Sequence, residues 1–303
     1  PRNLEHSDCF IIMGSNMAEC HPVAFRWPMR AKLQGATLIH VDPRFTRTSA
    51  MCDIHAPIRA GSDIAFLGGL INYVLNSDKW NSDPFFRDYT VNYTNLATII
   101  GEEYRDTEDL DGVFSGLVEF AEPDFWPHNG NLASYENDSW AYEYEGAPSG
   151  PSTESLLEGR AGPPFDELVR SLRKGTPRRD PSLEHPRCVY QLLRKHFARY
   201  TPEMVSQITG CPEDKFLQVA EALLENSGRD RTTAFAYAVA WTQHTYGVQI
   251  ISCCALLSQL TGNMGRPGGG IMALRGHAAI QGSTDVPTLY HSCLLYTSPS
   301  PRD

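Results

Sequence analysis

Residues 9–16 read Cys-Phe-Ile-Ile-Met-Gly-Ser-Asn, and residues 37–44 read Thr-Leu-Ile-His-Val-Asp-Pro-Arg. In each stretch a short, mostly apolar run ends at a polar turn, which is typical of a buried strand followed by a loop. The intervening residues 17–34 show an imperfect helical pattern, and Gly35 is a helix stop signal. Strand, helix and strand predict a βαβ unit with parallel strands, because the crossover returns the chain in the same direction. The expected fold is therefore α/β, with a doubly wound, mostly parallel, Rossmann-like sheet.

Further elements follow along the chain. Residues 54–59 predict a third strand, and Gly61-Ser62-Asp63 leads into an amphipathic helix with Ser62 or Asp63 as its N-cap. Acidic and aromatic residues without a regular period fill 101–185 and predict a long irregular insertion. The remaining predicted elements are a helix near 186–199, a helix opened by Thr201-Pro202-Glu203, a helix over 212–225, a strand over 234–240, a loop over 241–244 and a helix over 247–260.

Composition excludes several classes of protein. The 303 residues include 36 Asp and Glu against 26 Lys and Arg, and this acidic balance argues against a nucleic-acid surface. The eight cysteines form no Cys-x-x-Cys pair, so no zinc or iron–sulfur site is predicted within this stretch. No apolar run is long enough to cross a bilayer, so any membrane contact is expected to go through a partner.

The polar turns follow the predicted strands. They are Gly14-Ser15-Asn16, Asp42-Pro43-Arg44, Gly61-Ser62-Asp63 and Thr242-Gln243-His244. In a doubly wound sheet ligands bind beyond the carboxyl ends of the strands, where turn amides and a helix N-terminus can hold phosphate oxygens. Each turn alone is more often structural, but their coincidence at one edge favours a nucleotide-containing ligand. The usual nicotinamide fingerprint requires more glycines than this first turn has, which weakens an ordinary NAD-dependent dehydrogenase.

The glycine-rich segment 262–285 carries Arg275, His277, Gln281 and Asp285 among apolar side chains. This mixture suggests a polar ligand in a partly apolar cleft, although a simple hinge would use the same glycines. The charged fork of Arg275 suits a carboxylate or a phosphate. We predict no metal ligands: Glu19 and His21 are two residues apart and point to different faces of a helix. His40 lies inside a strand and is predicted to be a core histidine with satisfied ring nitrogens.

Four stretches together resemble the molybdopterin oxidoreductases: Met13-Gly-Ser-Asn-Met-Ala-Glu, Val41-Asp-Pro-Arg-Phe-Thr-Arg-Thr-Ser, Trp241-Thr-Gln-His-Thr and the 262–285 segment. Within that family the resemblance is to the catalytic (alpha) subunits of respiratory or periplasmic formate dehydrogenases. It implies a pair of molybdopterin guanine dinucleotides that hold molybdenum or tungsten. The implied cofactor contacts are Gly14, Ser15, Asn16, Glu19, Asp42, Arg44, Gly61, Ser62, Asp63, Val239, Gln243 and Gln281. The implied catalytic residues are Arg275, which would orient the formate carboxylate, and His277 beside it.

The resemblance also carries expectations about the rest of the protein. The metal-ligating selenocysteine or cysteine and a [4Fe-4S] cluster would precede Pro1, so the chain is expected to be an internal fragment that is inactive alone. The implied partners are formate, an iron–sulfur electron-transfer subunit and a membrane cytochrome subunit. The implied location is the periplasm, with the cytoplasm as the alternative. Two other functions stay open: another molybdopterin oxidoreductase such as a nitrate reductase, and a non-catalytic nucleotide-binding module.

The domain organisation expected on this basis has five segments. They are the first half of the α/β cofactor-binding domain over 1–100, the acidic irregular insertion over 101–185, the second half of the α/β domain over 186–276, the start of a further domain over 277–290 and a foreign tail over 291–303.

Overall fold

A computed structural model describes residues 2–102, 142–145 and 176–276. The chain separates into two compact units, one formed by Pro1–Asn81 with Tyr200–Asp303 and the other by Ser82–Arg199. The division into five segments stays a prediction.

The chain begins with a 3-10 turn, Arg2–His6. The strands are β1 (Cys9–Met13), β2 (Thr37–Val41), β3 (Ile54–Ala56), β4 (Tyr144–Glu145), β5 (Thr176–Pro177), β6 (Thr233–Tyr237) and β7 (Gly270–Ala273). The helices are α1 (Met17–Cys20), α2 (Pro22–Leu33), α3 (Arg47–Met51), α4 (Asp63–Asn76), α5 (Asp78–Ser82), α6 (Pro84–Tyr93), α7 (Val189–Phe197), α8 (Pro202–Thr209), α9 (Glu213–Glu225), α10 (Val239–Thr242) and α11 (Gly247–Leu260).

The first unit contains a five-stranded sheet in the order β3-β2-β1-β6-β7. Every neighbouring pair is parallel, and Cys9 at the start of β1 lies between Thr37 of β2 and Thr233 of β6. The chain moves outward in one direction from β1 to β3 and in the other from β6 to β7, so right-handed crossovers place the helices on both faces. This confirms the predicted doubly wound α/β fold. Strand order reverses between β1 and β6, which is where ligands bind in such sheets.

The sheet is buried on both faces, as its uninterrupted apolar strands require. Phe10 and Ile12 of β1 belong to a core cluster with Phe25, Trp27 and Ala31 of α2. The large side chains among them, such as Phe10, Ile12 and Phe25, each contribute roughly 1.5–3 kcal/mol of transfer free energy. On α4 the predicted apolar face is buried, and α4 packs against α11. The core therefore holds the strand ends in fixed positions.

Within its described residues the second unit contains α6, α7 and the short strands β4 and β5. Strands β4 and β5 pair antiparallel, and the isolated bridge between Ile99 and Cys188 joins the segment after α6 to the one before α7. Most of the predicted insertion lies outside the described residues.

Three sequence expectations in the first unit were wrong. The strand predicted over 54–59 ends at Ala56. The strand predicted over 234–240 ends at Tyr237, and α10 occupies positions expected to be strand end and loop. This helical turn buries Trp241 completely, and that burial outweighs the β-propensity of the preceding residues. The glycine-rich segment, in which no strand was predicted, contributes β7, which pairs with β6. Four residues that begin with glycine carry no strand periodicity to detect.

Candidate functional site

The predicted cofactor contacts that lie in the described residues meet at the carboxyl edge of the parallel sheet. Gly14 follows β1, Asp42 follows β2, Asp63 opens α4 after β3, and Val239 follows β6. Arg275 follows β7 on the same edge and is exposed. His277 and Gln281, predicted to line the same pocket, lie outside the described residues.

The turn after β1 is built for close approach. Gly14 has φ +67°, and a Cβ on it would lie 2.7 Å from Cδ1 of Trp241. Ser15 is buried, and its Oγ has no hydrogen-bond partner among the described residues. A buried hydroxyl without a partner costs about 1–3 kcal/mol, so this oxygen suits contact with a polar ligand. The turn thus offers a residue without a side chain and a hydroxyl without a hydrogen-bond partner where strand order reverses.

The next residues tie this turn to α3. Oδ1 of Asn16 accepts a hydrogen bond from Oγ1 of Thr48 at 2.7 Å, and the Asn16 amide donates to the Glu19 carboxylate. Glu19 also pairs with Arg47, with 3.3 Å between Oε1 and Nε. Both partners of this pair are exposed, so it stabilises the fold by about 0–1 kcal/mol. Asn16 and Glu19 therefore shape the turn in the structure described.

The turn after β2 is centred on Asp42. Its Oδ1 accepts a hydrogen bond from the Arg44 amide at 2.8 Å, and its Oδ2 lies 3.8 Å from Nε2 of His40. His40 is fully buried, with Nδ1 2.7 Å from Oγ of Ser49 and Nε2 3.1 Å from the Ser15 carbonyl oxygen. Burial lowers the pKa of His40, and Asp42 offsets part of that effect. His40 is a satisfied core histidine, as predicted, and it links the turns after β1 and β2.

The third turn presents a buried carboxylate. Asp63 is 7% exposed, and its Oδ1 accepts a hydrogen bond of 3.0 Å from Nε1 of Trp241. Its Oδ2 lies 3.8 Å from Nε2 of His244. Burial raises the pKa of Asp63, and the Trp241 hydrogen bond and His244 offset part of the rise. Ser62, one of the two predicted candidates, is the N-cap residue of the helix.

Other side chains of this edge face solvent. Val239 is 48% exposed, and Arg44 and Gln243 are exposed. Sequence reasoning missed Phe45, which is 70% exposed directly after Arg44 and packs edge-to-face on His55 at 5.3 Å. An aromatic residue inside a polar turn is the signal that could have found it. Sequence reasoning also gave Trp241 no separate role, because a buried tryptophan has the same pattern as any core residue.

Within residues 2–102, 142–145 and 176–276, no group of three or more His, Cys, Asp and Glu side chains is placed to hold a metal ion. Across the same ranges, none of the helices combines the length and apolar character that a membrane span requires.

Comparison with known proteins identifies the family. The family model for molybdopterin oxidoreductases matches residues 2–293, and the chain belongs to this family. Membership implies a molybdopterin cofactor. The chain is 42% identical over 302 residues to the formate dehydrogenase-O major subunit of Escherichia coli (strain K12), covering 99% of this chain and 25% of that protein. It is 41% identical over 289 residues to the formate dehydrogenase subunit alpha of Megalodesulfovibrio gigas, covering 95% of this chain and 24% of that protein.

The chain thus spans about a quarter of the length of the curated relatives that it matches. Among solved structures, acetylene hydratase from Pelobacter acetylenicus aligns with a TM-score of 0.44 and 17% identity, covering 85% of this chain and 22% of that one.

Proposed function

We propose that this chain is part of the catalytic subunit of a formate dehydrogenase, which oxidises formate to carbon dioxide and passes the electrons to iron–sulfur clusters. The observation that carries the proposal is the 42% identity, over 99% of the chain, to a formate dehydrogenase major subunit. The carboxyl edge of the sheet supports it, because its turns offer the backbone amides, hydroxyl and carboxylates that a dinucleotide requires.

The cofactor in this proposal is a pair of molybdopterin guanine dinucleotides with molybdenum or tungsten. The described residues fit such a group: the Ser15 hydroxyl is buried without a partner, and Gly14 leaves no room for a side chain beside it. Asp42 and Asp63 would accept hydrogen bonds from ribose or base donors, while the turn amides after β1 would face phosphate oxygens. When bound, the group supplies the metal centre at which formate is oxidised.

Arg275 is proposed to orient the substrate. It follows β7 at the carboxyl edge, where its exposed guanidinium can bind a carboxylate through two parallel hydrogen bonds. Of the remaining predicted residues, His277 and Gln281 follow it in the sequence and would line the same pocket or touch the pterin.

The wider assembly is proposed from the family resemblance of the sequence. It comprises a [4Fe-4S] cluster, an iron–sulfur electron-transfer subunit and a membrane cytochrome subunit, with the catalytic subunit in the periplasm.

The test is to express the full-length subunit that carries this chain and to measure formate oxidation with an artificial electron acceptor, together with metal and guanine nucleotide content. We expect formate-dependent reduction of the acceptor and both constituents in the purified protein. Nitrate turnover without formate oxidation would indicate the alternative enzyme. Absence of both metal and nucleotide would overturn the proposed enzyme. Nucleotide without metal or formate oxidation would indicate a non-catalytic nucleotide-binding module.

A further inference from the structure

We propose that Trp241 is a positioning residue for the cofactor: from the segment after β6 it fixes the Asp63 carboxylate and the Gly14 turn at the carboxyl edge of the sheet. This inference rests on the proposed function, because it concerns the same edge of the sheet. It assigns a role to a side chain that neither the sequence pattern nor the predicted contacts included.

The contacts of Trp241 join three loops. Trp241 lies in α10, which follows β6, and its indole ring stacks on Tyr237 with 4.9 Å between ring centroids. The same ring lies against the turn after β1, where a Cβ on Gly14 would be 2.7 Å from Cδ1 and 3.1 Å from Nε1. Its N–H donates to Oδ1 of Asp63 in the turn after β3. One fully buried side chain therefore sets the relative positions of three segments that are predicted to contact the cofactor.

The chemistry of the indole determines what it does to Asp63. An indole N–H is a single hydrogen-bond donor, so it occupies one carboxylate oxygen and leaves the other available to a ligand. Oδ1 is held by Trp241, while Oδ2 faces His244 at 3.8 Å and remains able to accept a further hydrogen bond. The indole thus selects which carboxylate oxygen is presented.

The hydrogen bond also favours the charged form of a carboxylate that burial disfavours. Burial raises the pKa of Asp63, the Trp241 hydrogen bond and His244 lower it, and Asp42 across the edge raises it further. Asp63 itself is the first residue of α4, where the helix dipole favours a negative charge. Removing the indole N–H should therefore raise the pKa of Asp63, because His244 and Asp42 stay in place beside it.

A purely structural role predicts a different outcome, and Trp80 provides the comparison. Trp80 is also a buried tryptophan, 3% exposed, and its Nε1 donates to the Leu260 carbonyl oxygen at 2.8 Å. It lies in α5, and the carbonyl that accepts its indole hydrogen bond is at the end of α11, not in a strand-end turn. Trp80→Phe therefore removes an equivalent indole N–H without touching a predicted cofactor contact.

The experiment compares Trp241→Phe and Trp80→Phe in the full-length subunit, purified with its cofactor. Guanine nucleotide retained per polypeptide is measured over time in mild urea, at a series of pH values between about 5 and 8, the range around which perturbed carboxyl groups titrate. For Trp241→Phe we expect nucleotide release roughly 10-fold faster, as loss of about 1.4 kcal/mol would give. We also expect the pH below which release accelerates to move upward. Trp80→Phe should release nucleotide as the unmodified protein does.

A second replacement guards against misfolding. Trp241→benzothienylalanine keeps the ring shape and replaces only the N–H by sulfur, so faster release and the same upward displacement of the pH profile are expected in a protein with unchanged circular dichroism. Unchanged release and pH profile in this variant would overturn the inference, as would an equal effect of Trp80→Phe. Unmodified protein that contains no guanine nucleotide would instead overturn the proposed function and this inference with it.

Discussion

Gly14→Ala tests the close packing at the reversal of strand order. The added Cβ would lie 2.7 Å from Cδ1 of the buried Trp241, at a backbone φ of +67°. The left-handed conformation costs a non-glycine residue about 1–2 kcal/mol. Overpacking against the fully buried ring of Trp241 adds about 1–3 kcal/mol. The free energy of unfolding should therefore fall by about 2–5 kcal/mol.

Gly265→Ala is the matched control. Gly265 has φ +74°, but nothing lies within 4 Å of an added Cβ, so only the conformational cost of about 1–2 kcal/mol applies. The assay is urea unfolding followed by far-ultraviolet circular dichroism, with the midpoints compared at equal slopes. The difference between the two variants measures the contact with Trp241. Equal destabilisation of the two variants would refute the argument that Gly14 is required by this contact.

Three further predictions concern charge and reactivity. Burial raises the pKa of Asp63, so the folded protein is stabilised when this carboxyl is neutral, below its ordinary pKa of 3.8, and loses that stability as pH rises through the raised pKa. Thermal unfolding at neutral pH should therefore show Asp63→Asn more stable than the unmodified protein. An Asp63→Asn variant with no gain in stability would contradict the cost assigned to burying the charged carboxylate. Arg275→Lys in the full-length subunit should raise KM for formate and lower kcat, because a point charge cannot replace the planar fork; unchanged steady-state constants would remove Arg275 from the site. Native alkylation followed by mass spectrometry should label exposed Cys20 and spare Cys9, because burial raises the pKa of Cys9 to about 12; equal labelling would show that β1 is accessible.

The strands that begin the fold could be predicted because their sequences are unambiguous. β1 and β2 have the bounds expected from the sequence, since each is an apolar run that a polar turn terminates. Their parallel pairing followed from the helical crossover, and the position of Asp42 and Ser15 at one edge followed from that pairing. Chain direction alone was enough to bring these residues together.

The rest depended on contacts between distant segments. β7 has four residues and forms only because β6 supplies an open edge, which no local pattern reports. Trp241 reaches Asp63 across 178 positions, so its hydrogen bond could not be inferred from spacing. The buried carboxylate of Asp63 and the unpartnered hydroxyl of Ser15 likewise appear only when the neighbouring loops are in place.

The central proposal is that the carboxyl edge of this sheet holds a molybdopterin guanine dinucleotide in a formate-oxidising enzyme. The most direct measurement is the guanine nucleotide content of the purified full-length subunit, determined alongside its rate of formate oxidation, for the unmodified protein and for Gly14→Ala. We predict nucleotide and formate oxidation in the unmodified protein, and a parallel loss of both in Gly14→Ala. Formate oxidation that persists in protein without guanine nucleotide would contradict the account.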